Sequence, residues 1–338
     1  MSFTPLYKLL DWIPVEKLDR NGLSYQPKAV EFLRENPKYI NWKIIASNSA
    51  ALSMIEANIS KIDFSWLSSE AHGIHILKKY KKRICWKEFS CNEAGISMIE
   101  ENLHKISWTH LSGNEKAIHI LENNIDKVDW EVLSANKAAI SLLEKHIDKI
   151  DWRRLSVNEN ALHLLKSHPD KINFCQLPYN NNPEVVPMLI DNMFEVDMNG
   201  FCSRNEPEVL EYIDKNFIDI VDDDWNNVDE VCKNKDAFYI LEKNMDYLIK
   251  NYEWLFWTSL SGNENERAIE LLRSNQDQID WKRFSENPGI FKLDTQKMKS
   301  RCAPFAQELA AYVYSPSRLM RLCEKYDIEM SSLLEIFE

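Results

Sequence analysis

The sequence predicts an all-α protein, specifically an α-solenoid of about eleven short two-helix repeats with a helical cap at each end. Aromatic residues recur every 22 residues along much of the chain. Apolar residues hold fixed places between them with helical spacing. Glycine is scarce, with 7 residues in all, which disfavours a turn-rich β architecture.

The repeat is defined by an aromatic residue, taken here as position 0. An apolar residue stands at position 3, an asparagine at position 6 of most units, and an apolar residue at position 20. Stacked units give such a fixed period, because a unit this short cannot bury its own apolar face. The aromatics in strict register are Trp42, Phe64, Trp86, Trp108, Trp130, Trp152 and Phe174.

Each unit is expected to contain a short helix at the aromatic and a second helix after the asparagine. In one unit, Asn136 is a natural N-cap for a helix that buries Ala139, Ile140 and Leu143 on one side. A leucine-rich repeat has a similar period, but here the asparagine precedes the apolar block, which favours helix. The tryptophans are expected in the core. At the far end of the second helix, left-handed terminal residues are expected at Asn58, Asn102 and Asn124.

Four regions are predicted along the chain. Residues 1–19 form an N-terminal cap, 20–172 the regular array, 173–291 irregular acidic repeats, and 292–338 a C-terminal helical cap. Residues 41–172 hold 18 Lys and Arg against 17 Asp and Glu, whereas residues 173–338 hold 17 against 31. In the C-terminal cap, one helix is expected to begin at Ser315-Pro316 and a closing helix covers 331–337.

Composition limits the classes of function. The net charge of −12 argues against a duplex nucleic-acid binder, which needs a basic face. The seven cysteines are scattered and lack a CxxC pair, which favours reduced thiols in the cytoplasm. No signal peptide or membrane span is expected from the apolar pattern, and no membrane association is predicted.

The string from Lys127 to Glu144 (KVDWEVLSANKAAISLLE) resembles a short helical repeat found in many proteins of the nucleocytoplasmic large DNA viruses, or giant viruses. The resemblance covers about residues 20–290 and is strongest over 41–172. It implies a viral protein acting in the host cytoplasm or in the virion. That family is largely uncharacterised and implies no active site.

Two groups of exposed residues are candidate binding sites. Position 11 of the repeat lies opposite the buried face and is a candidate partner-binding ridge; a metal site is not expected there, because helices about 8–10 Å apart place the histidines too far from each other. These residues are Ser53, His75, Ser97, His119, Ser141 and His163. A basic run could contact phosphate, or could simply complement a helix C-terminus. It contains Lys78, Lys79, Lys81, Lys82 and Arg83.

No catalytic motif, cofactor or metal is predicted. The acidic stretch Asp222–Asp224 does not match a calcium loop, because Asn227 and Lys233 stand where Gly and Glu are required. The expected function is a non-enzymatic scaffold that binds one or more partner proteins on its solenoid surface. Two alternatives are a structural virion or minor capsid component, and a nucleic-acid- or translation-associated factor that uses the basic run. Nucleic acid is the less favoured partner.

Overall fold

The computed structural model describes residues 5–313 and 315–326. They divide into two compact units: an array over residues 9–290, and a smaller unit made of residues 5–8 together with those from 291 onward. The smaller unit contains a two-stranded sheet, Tyr7–Leu9 with Phe291–Leu293, and the helices Thr295–Val313 and Pro316–Tyr326. The predicted all-α class is confirmed, and a helix begins at Pro316 as expected. The closing helix expected at 331–337 lies outside the described residues.

The array is built from short helices in two alternating sets. First helices contain the aromatic position, with a 3₁₀ turn in their place at Ile45–Ser47 and Leu177–Tyr179. The first helices are Arg20–Tyr25, Phe64–Ser69, Trp86–Phe89, Trp108–Ser112, Trp130–Ser134, Trp152–Leu155, Met198–Cys202, Trp225–Lys233 and Trp281–Glu286. The second helices are Val30–Glu35, Leu52–Ala57, Ile74–Lys79, Ile96–Glu100, Ile118–Glu122, Ile140–Lys145, Leu162–Ser167, Val186–Ile190, Pro207–Lys215, Phe238–Lys243 and Glu266–Ser274.

The acidic half has two further helices. The first, Phe217–Asp223, lies between two repeats. The other, Met245–Leu260, is kinked at Tyr252, and its part after the kink is the first helix of the next repeat. These insertions explain why the sequence period lengthens there. Trp257, inside the merged helix, is 6% exposed.

Position 3 of the repeat supplies the core. Leu67, Phe89, Leu111, Leu133 and Leu155 are each 0% exposed. The tryptophans at position 0 differ from the expectation of burial: Trp42, Trp86, Trp108, Trp130 and Trp152 are all half-buried. Position 0 is the first residue of the first helix, at the rim of the apolar layer, so its ring is only partly covered. A lysine at position 19 of the same repeat lies over the ring, as Lys149 does over Trp130 at 4.9 Å.

Two polar side chains join consecutive repeats. The serine at position 4 is buried; its hydroxyl donates to the carbonyl of position 0 and accepts the backbone N–H that precedes the next first helix. Thus Ser112 donates to Trp108 at 2.9 Å and accepts from Asp129 at 3.0 Å. The asparagine at position 6 accepts from the N–H two residues later, as Asn136 does from Ala138, which confirms its N-cap role. Its amide also donates to a carbonyl of the preceding repeat.

The amide-to-carbonyl bond recurs at every junction between repeats in residues 9–290. Where the sequence lacks asparagine, another side chain replaces it: His72 lies 3.1 Å from the Ala46 carbonyl, and Arg204 donates to the carbonyls of Pro178 and Asn180. The residues at these twelve junctions are Gln26, Asn48, His72, Asn92, Asn114, Asn136, Asn158, Asn180, Arg204, Asn234, Asn263 and Asn287.

The first of these junctions connects the two ends of the array. The Gln26 amide donates to the carbonyl of Glu286 at 3.1 Å, and the N–H of Asp19 donates to the Ser285 hydroxyl at 2.8 Å. The Lys17 ammonium lies 4.9 Å from the centre of the Trp281 ring. Internal repeats show the same three contacts: an amide donating to a carbonyl, an N–H donating to a serine, and a lysine over an aromatic ring. The two ends of the array therefore pack against each other as consecutive repeats do, and the row of repeats closes on itself.

The final repeat is therefore split between the two ends of the array. Its first half is Trp281–Glu286 and the turn Pro288–Ile290, and its second half comes from the N-terminal side, where the 3₁₀ turn Val15–Lys17 matches Ile147–Lys149 of an internal repeat. The N–H of Leu10 donates to the Ile290 carbonyl at 2.9 Å and joins the halves. Thus the open array expected from the sequence, with residues 1–19 as a separate cap, differs from the structure.

Residues two repeats apart meet on the side of the first helices. Asp229 accepts hydrogen bonds from Ser259 of the next repeat and from Arg283 of the repeat after it, the latter at 2.6 Å. Second helices are joined by ion pairs, as in the Lys145–Glu122 pair.

The asparagines that end second helices are not left-handed, contrary to the expectation. Asn58 has φ −130° and Asn124 has φ −139°. Their amides donate to the carbonyl four residues earlier, Met54 and Ile120 respectively. This side-chain bond satisfies an end carbonyl without a positive φ.

Candidate functional site

The position 11 residues are all exposed on second helices. The three histidines share one arrangement: Nε2 of each lies against the glutamate at position 14 of the preceding repeat. His75 is 2.6 Å from Glu56, and His119 is 2.9 Å from Glu100. His163 repeats this with Glu144 at 2.9 Å.

The serines occupy the other junctions, where different charges are present. Arg34 lies 3.4 Å from the Ser53 hydroxyl, and Lys78 stands at position 14 before Ser97. Before Ser141, Glu122 pairs with Lys145. Each histidine at position 11 therefore has a glutamate at position 14 of the preceding repeat, whereas the serines follow Arg34, Lys78 or the Glu122 that pairs with Lys145.

The basic run spans the end of the helix Ile74–Lys79 and the 3₁₀ turn Lys81–Arg83. Arg83 has a structural role: its guanidinium donates to the carbonyls of Ile59 and Ile62 and lies 3.7 Å from the centre of the Phe64 ring. The four lysines are exposed, and none forms an ion pair with a described residue. Arg83 therefore stabilises the fold, whereas the four lysines face solvent.

Two adjoining concavities involve these lysines. One, of about 380 Å³, is lined by residues 78–83. The other, of about 570 Å³, is lined by Lys81, Lys82, Trp86 and Lys105, together with Ile84, Met98, Glu101 and Asn102. Lys105 lies 4.9 Å from the centre of the Trp86 ring and donates to Asn102 at 2.8 Å. Trp86 and Lys105 could not be grouped with the basic run from the sequence alone, because they belong to the following repeat.

A groove in the acidic half is a second candidate. It has a volume of about 580 Å³ and lies between the helices Val186–Ile190 and Pro207–Lys215. Its apolar lining comes from Pro183, Val186, Pro187, Ile190 and Pro207, and four carboxylates flank it, at Glu184, Asp191, Glu206 and Glu208. In the turn after the first of these helices, the Phe194 side chain is fully exposed.

Two of the four carboxylates are already neutralised. Glu184 pairs with Lys166 at 3.0 Å, and Glu206 pairs with Arg204. Asp191 and Glu208 are exposed and form no ion pair with a described residue. The groove therefore combines apolar surface with net negative charge, a feature spread over two repeats that the sequence analysis did not detect.

The acidic stretch at 222–224 has two structural tasks. Asp222 accepts hydrogen bonds from the hydroxyls of Tyr247 and Tyr252, at 2.6 and 2.9 Å. The hydrogen bond to Asp222 raises the pKa of Tyr247 to about 12. Asp224 caps the helix Trp225–Lys233 by accepting from the N–H of Asn226.

The cysteines are all reduced, and two of them are fully buried. Burial raises the pKa of Cys202 to about 12, and burial also raises the pKa of Cys232. Neither thiol is therefore primed to act as a nucleophile at neutral pH. In the portion of the chain that the structure describes, no group of three or more His, Cys, Asp or Glu residues is arranged to hold a metal ion.

Among the described residues, none of the helices is both long and apolar enough to cross a membrane. The geometry defines the class of protein as an all-α array of 22-residue repeats joined by buried serine and amide side chains. The chain matches no protein family model, no curated protein and no solved structure.

Proposed function

We propose that this chain is a non-enzymatic scaffold that binds a partner protein, and that the groove between Val186–Ile190 and Pro207–Lys215 is a principal docking site. The supporting observation is apolar surface at Pro187, Ile190 and Pro207 beside the unpaired carboxylates Asp191 and Glu208. Apolar surface of this kind, bordered by polar groups, is typical of protein interaction sites. The resemblance of the repeat to those of large DNA viruses supports a viral role in the host cytoplasm.

Charge complementarity defines the partner chemistry. A segment that presents an apolar side chain flanked by Lys or Arg fits the groove, since its cations would meet Asp191 and Glu208. The fully exposed Phe194 in the adjoining turn offers a second apolar contact. The two repeats that form the groove are held together by Arg204, whose buried guanidinium donates to carbonyls of the preceding repeat.

Affinity purification from infected or expressing cells tests the proposal. The wild type is compared with the double variant Asp191→Lys, Glu208→Lys and with a matched control, Asp148→Lys, Glu253→Lys, at exposed residues remote in sequence that form no ion pair with a described residue. We expect a reproducible partner that the wild type and the control retain and the groove variant loses. If all three proteins recover the same partners, or none does, the groove is not the docking site.

A further inference from the structure

One repeat differs in charge from its neighbours at several equivalent positions. Position 14 is Glu in the units of Trp42, Trp86, Trp108 and Trp130 but Lys78 in the unit of Phe64. Position 18 is Asp126, Asp148 and Asp170 in the three later units but Lys82 here. Position 17, isoleucine in several units, is Lys81.

Acidic residues are also missing from a position close to these lysines. Position 21 is the N-cap of the following first helix and is aspartate at Asp63, Asp129 and Asp151. It is Cys85 in this unit and Ser107 in the next. The Cys85 side chain makes no capping hydrogen bond, so this helix lacks the carboxylate that caps the equivalent helices.

The fold does not require these substitutions. Two later repeats form the same 3₁₀ turn, Ile125–Lys127 and Ile147–Lys149, without lysines at positions 17 and 18. The lysines of the basic run are exposed and make no ion pair with a described residue. Concentrating unpaired positive charge within six residues is unfavourable for the isolated chain, because like charges repel. A ligand of opposite charge would remove this repulsion.

The lysines also share a concave surface with an aromatic ring. Lys81 and Lys82 line both concavities, and the larger one adds Lys105 and the half-buried Trp86. Glu101 is the one carboxylate among the residues lining the two. The surface therefore includes residues of two consecutive repeats, from Lys78 to Lys105.

We propose that this surface, Lys78–Lys82 with Trp86 and Lys105, binds a segment of single-stranded nucleic acid through its phosphates. Lysine ammonium groups act as point charges that suit successive phosphates without reading base edges. Lys105 lies over the Trp86 ring, and the part of the ring that stays exposed offers an apolar contact to any base. Binding is accordingly independent of sequence and confined to this part of an otherwise acidic protein.

Fluorescence anisotropy of a labelled 20-nucleotide oligo(U) tests the proposal across a salt series that starts at 50 mM. Each phosphate neutralised on a single strand contributes about −0.7 to the slope of log K against log salt, so five lysines predict a slope of about −3.5. Lys81→Glu, Lys82→Glu should weaken binding at least tenfold at 50 mM and flatten the slope. Arg83 is left intact because it supports the fold.

The matched control is Lys43→Glu, Lys250→Glu, which makes the same change in net charge at exposed lysines outside the surface. It should bind the oligonucleotide within about twofold of the wild type. A gain of function is also expected: Asp126→Lys places a lysine at position 18 of the next repeat but one, and should steepen the slope by about 0.7.

Three outcomes would overturn the proposal. The first is no binding at 50 mM salt, and the second is an equal loss of affinity in the Lys81, Lys82 variant and in the control. The third is displacement of oligo(U) by poly-glutamate of equal charge as effectively as by unlabelled oligo(U), because this would assign the surface to acidic proteins.

Discussion

The backbone N–H of Asp19 donates to the side-chain hydroxyl of Ser285 across 266 positions of sequence, at 2.8 Å. The same bond joins Asp129 to Ser112 at 3.0 Å across 17 positions. An internal junction and the junction between the two ends of the array thus have one chemistry. Terminal repeats of an open array need polar covers, whereas here each apolar end surface covers the other.

Ser285, at the junction between the two ends of the array, should contribute as much to stability as a serine at an internal junction. Ser285→Ala and Ser112→Ala each leave a partly buried backbone N–H without its acceptor, and each should lower the free energy of unfolding by about 1–2 kcal/mol. Ser65→Ala, at an exposed position, is the control and should change it little. Denaturant unfolding gives the values; a neutral Ser285→Ala beside a costly Ser112→Ala would argue against closure.

The core lies at position 3 and not at the tryptophan. Leu133→Ala should cost about 2–5 kcal/mol, the usual range for a fully buried leucine. Trp130→Ala should cost less, about 1–2 kcal/mol, because the half-buried ring loses mainly its contacts with Lys149 and His146. Both values come from denaturant unfolding. An equal or larger loss for Trp130→Ala would contradict this ranking.

The hydrogen bonds that Asp229 accepts from the two following repeats should make the free energy of unfolding depend on pH. Burial raises the pKa of Asp229, but hydrogen bonds from Lys233, Ser259 and Arg283 outweigh it, and the net pKa is lowered. A lowered folded pKa contributes stability above the unfolded value near 3.9 and loses it as the pH falls through the folded value. Arg283→Met should therefore lower stability at pH 7 and reduce the loss between pH 4 and pH 2. Unfolding curves at these pH values measure both effects; an unchanged acid dependence would mean that the contact is not formed.

Thiol reactivity should separate the cysteines into two groups. Cys175 and Cys302 are exposed, whereas Cys202 and Cys232 are fully buried with a raised pKa. At pH 8 a water-soluble thiol reagent should label the exposed pair within minutes, and the buried pair only after denaturant is added. Mass spectrometry of digested protein identifies the sites, and rapid native labelling of Cys232 would contradict the packing of its helix.

Periodicity was sufficient to predict the helices, because the apolar spacing and the capping asparagine are local. Closure was missed because its residues do not look alike in sequence: Gln26 takes the place of an asparagine, and His72 and Arg204 do the same elsewhere. A signal was present, since Val15-Glu16-Lys17-Leu18-Asp19 matches Ile147-Asp148-Lys149-Ile150-Asp151.

The candidate sites were predicted only in part. The basic run was visible as a string of lysines, yet its second half, Trp86 and Lys105, lies in the following repeat. The groove at Val186 and Pro207 joins residues from two repeats whose spacing had already loosened. Burial of the tryptophans was predicted wrongly, since the period shows that a residue recurs but not how deep it lies.

The split repeat also sets an order on synthesis. Residues 10–26 leave the ribosome long before Ser285 and Glu286, which they contact across separations such as the 260 residues from Gln26 to Glu286. At about 5–20 residues per second, that delay amounts to tens of seconds. Throughout that time the nascent N-terminal segment has an uncovered apolar edge, so a chaperone that shields Leu18 and Leu23 would act before the array can be completed.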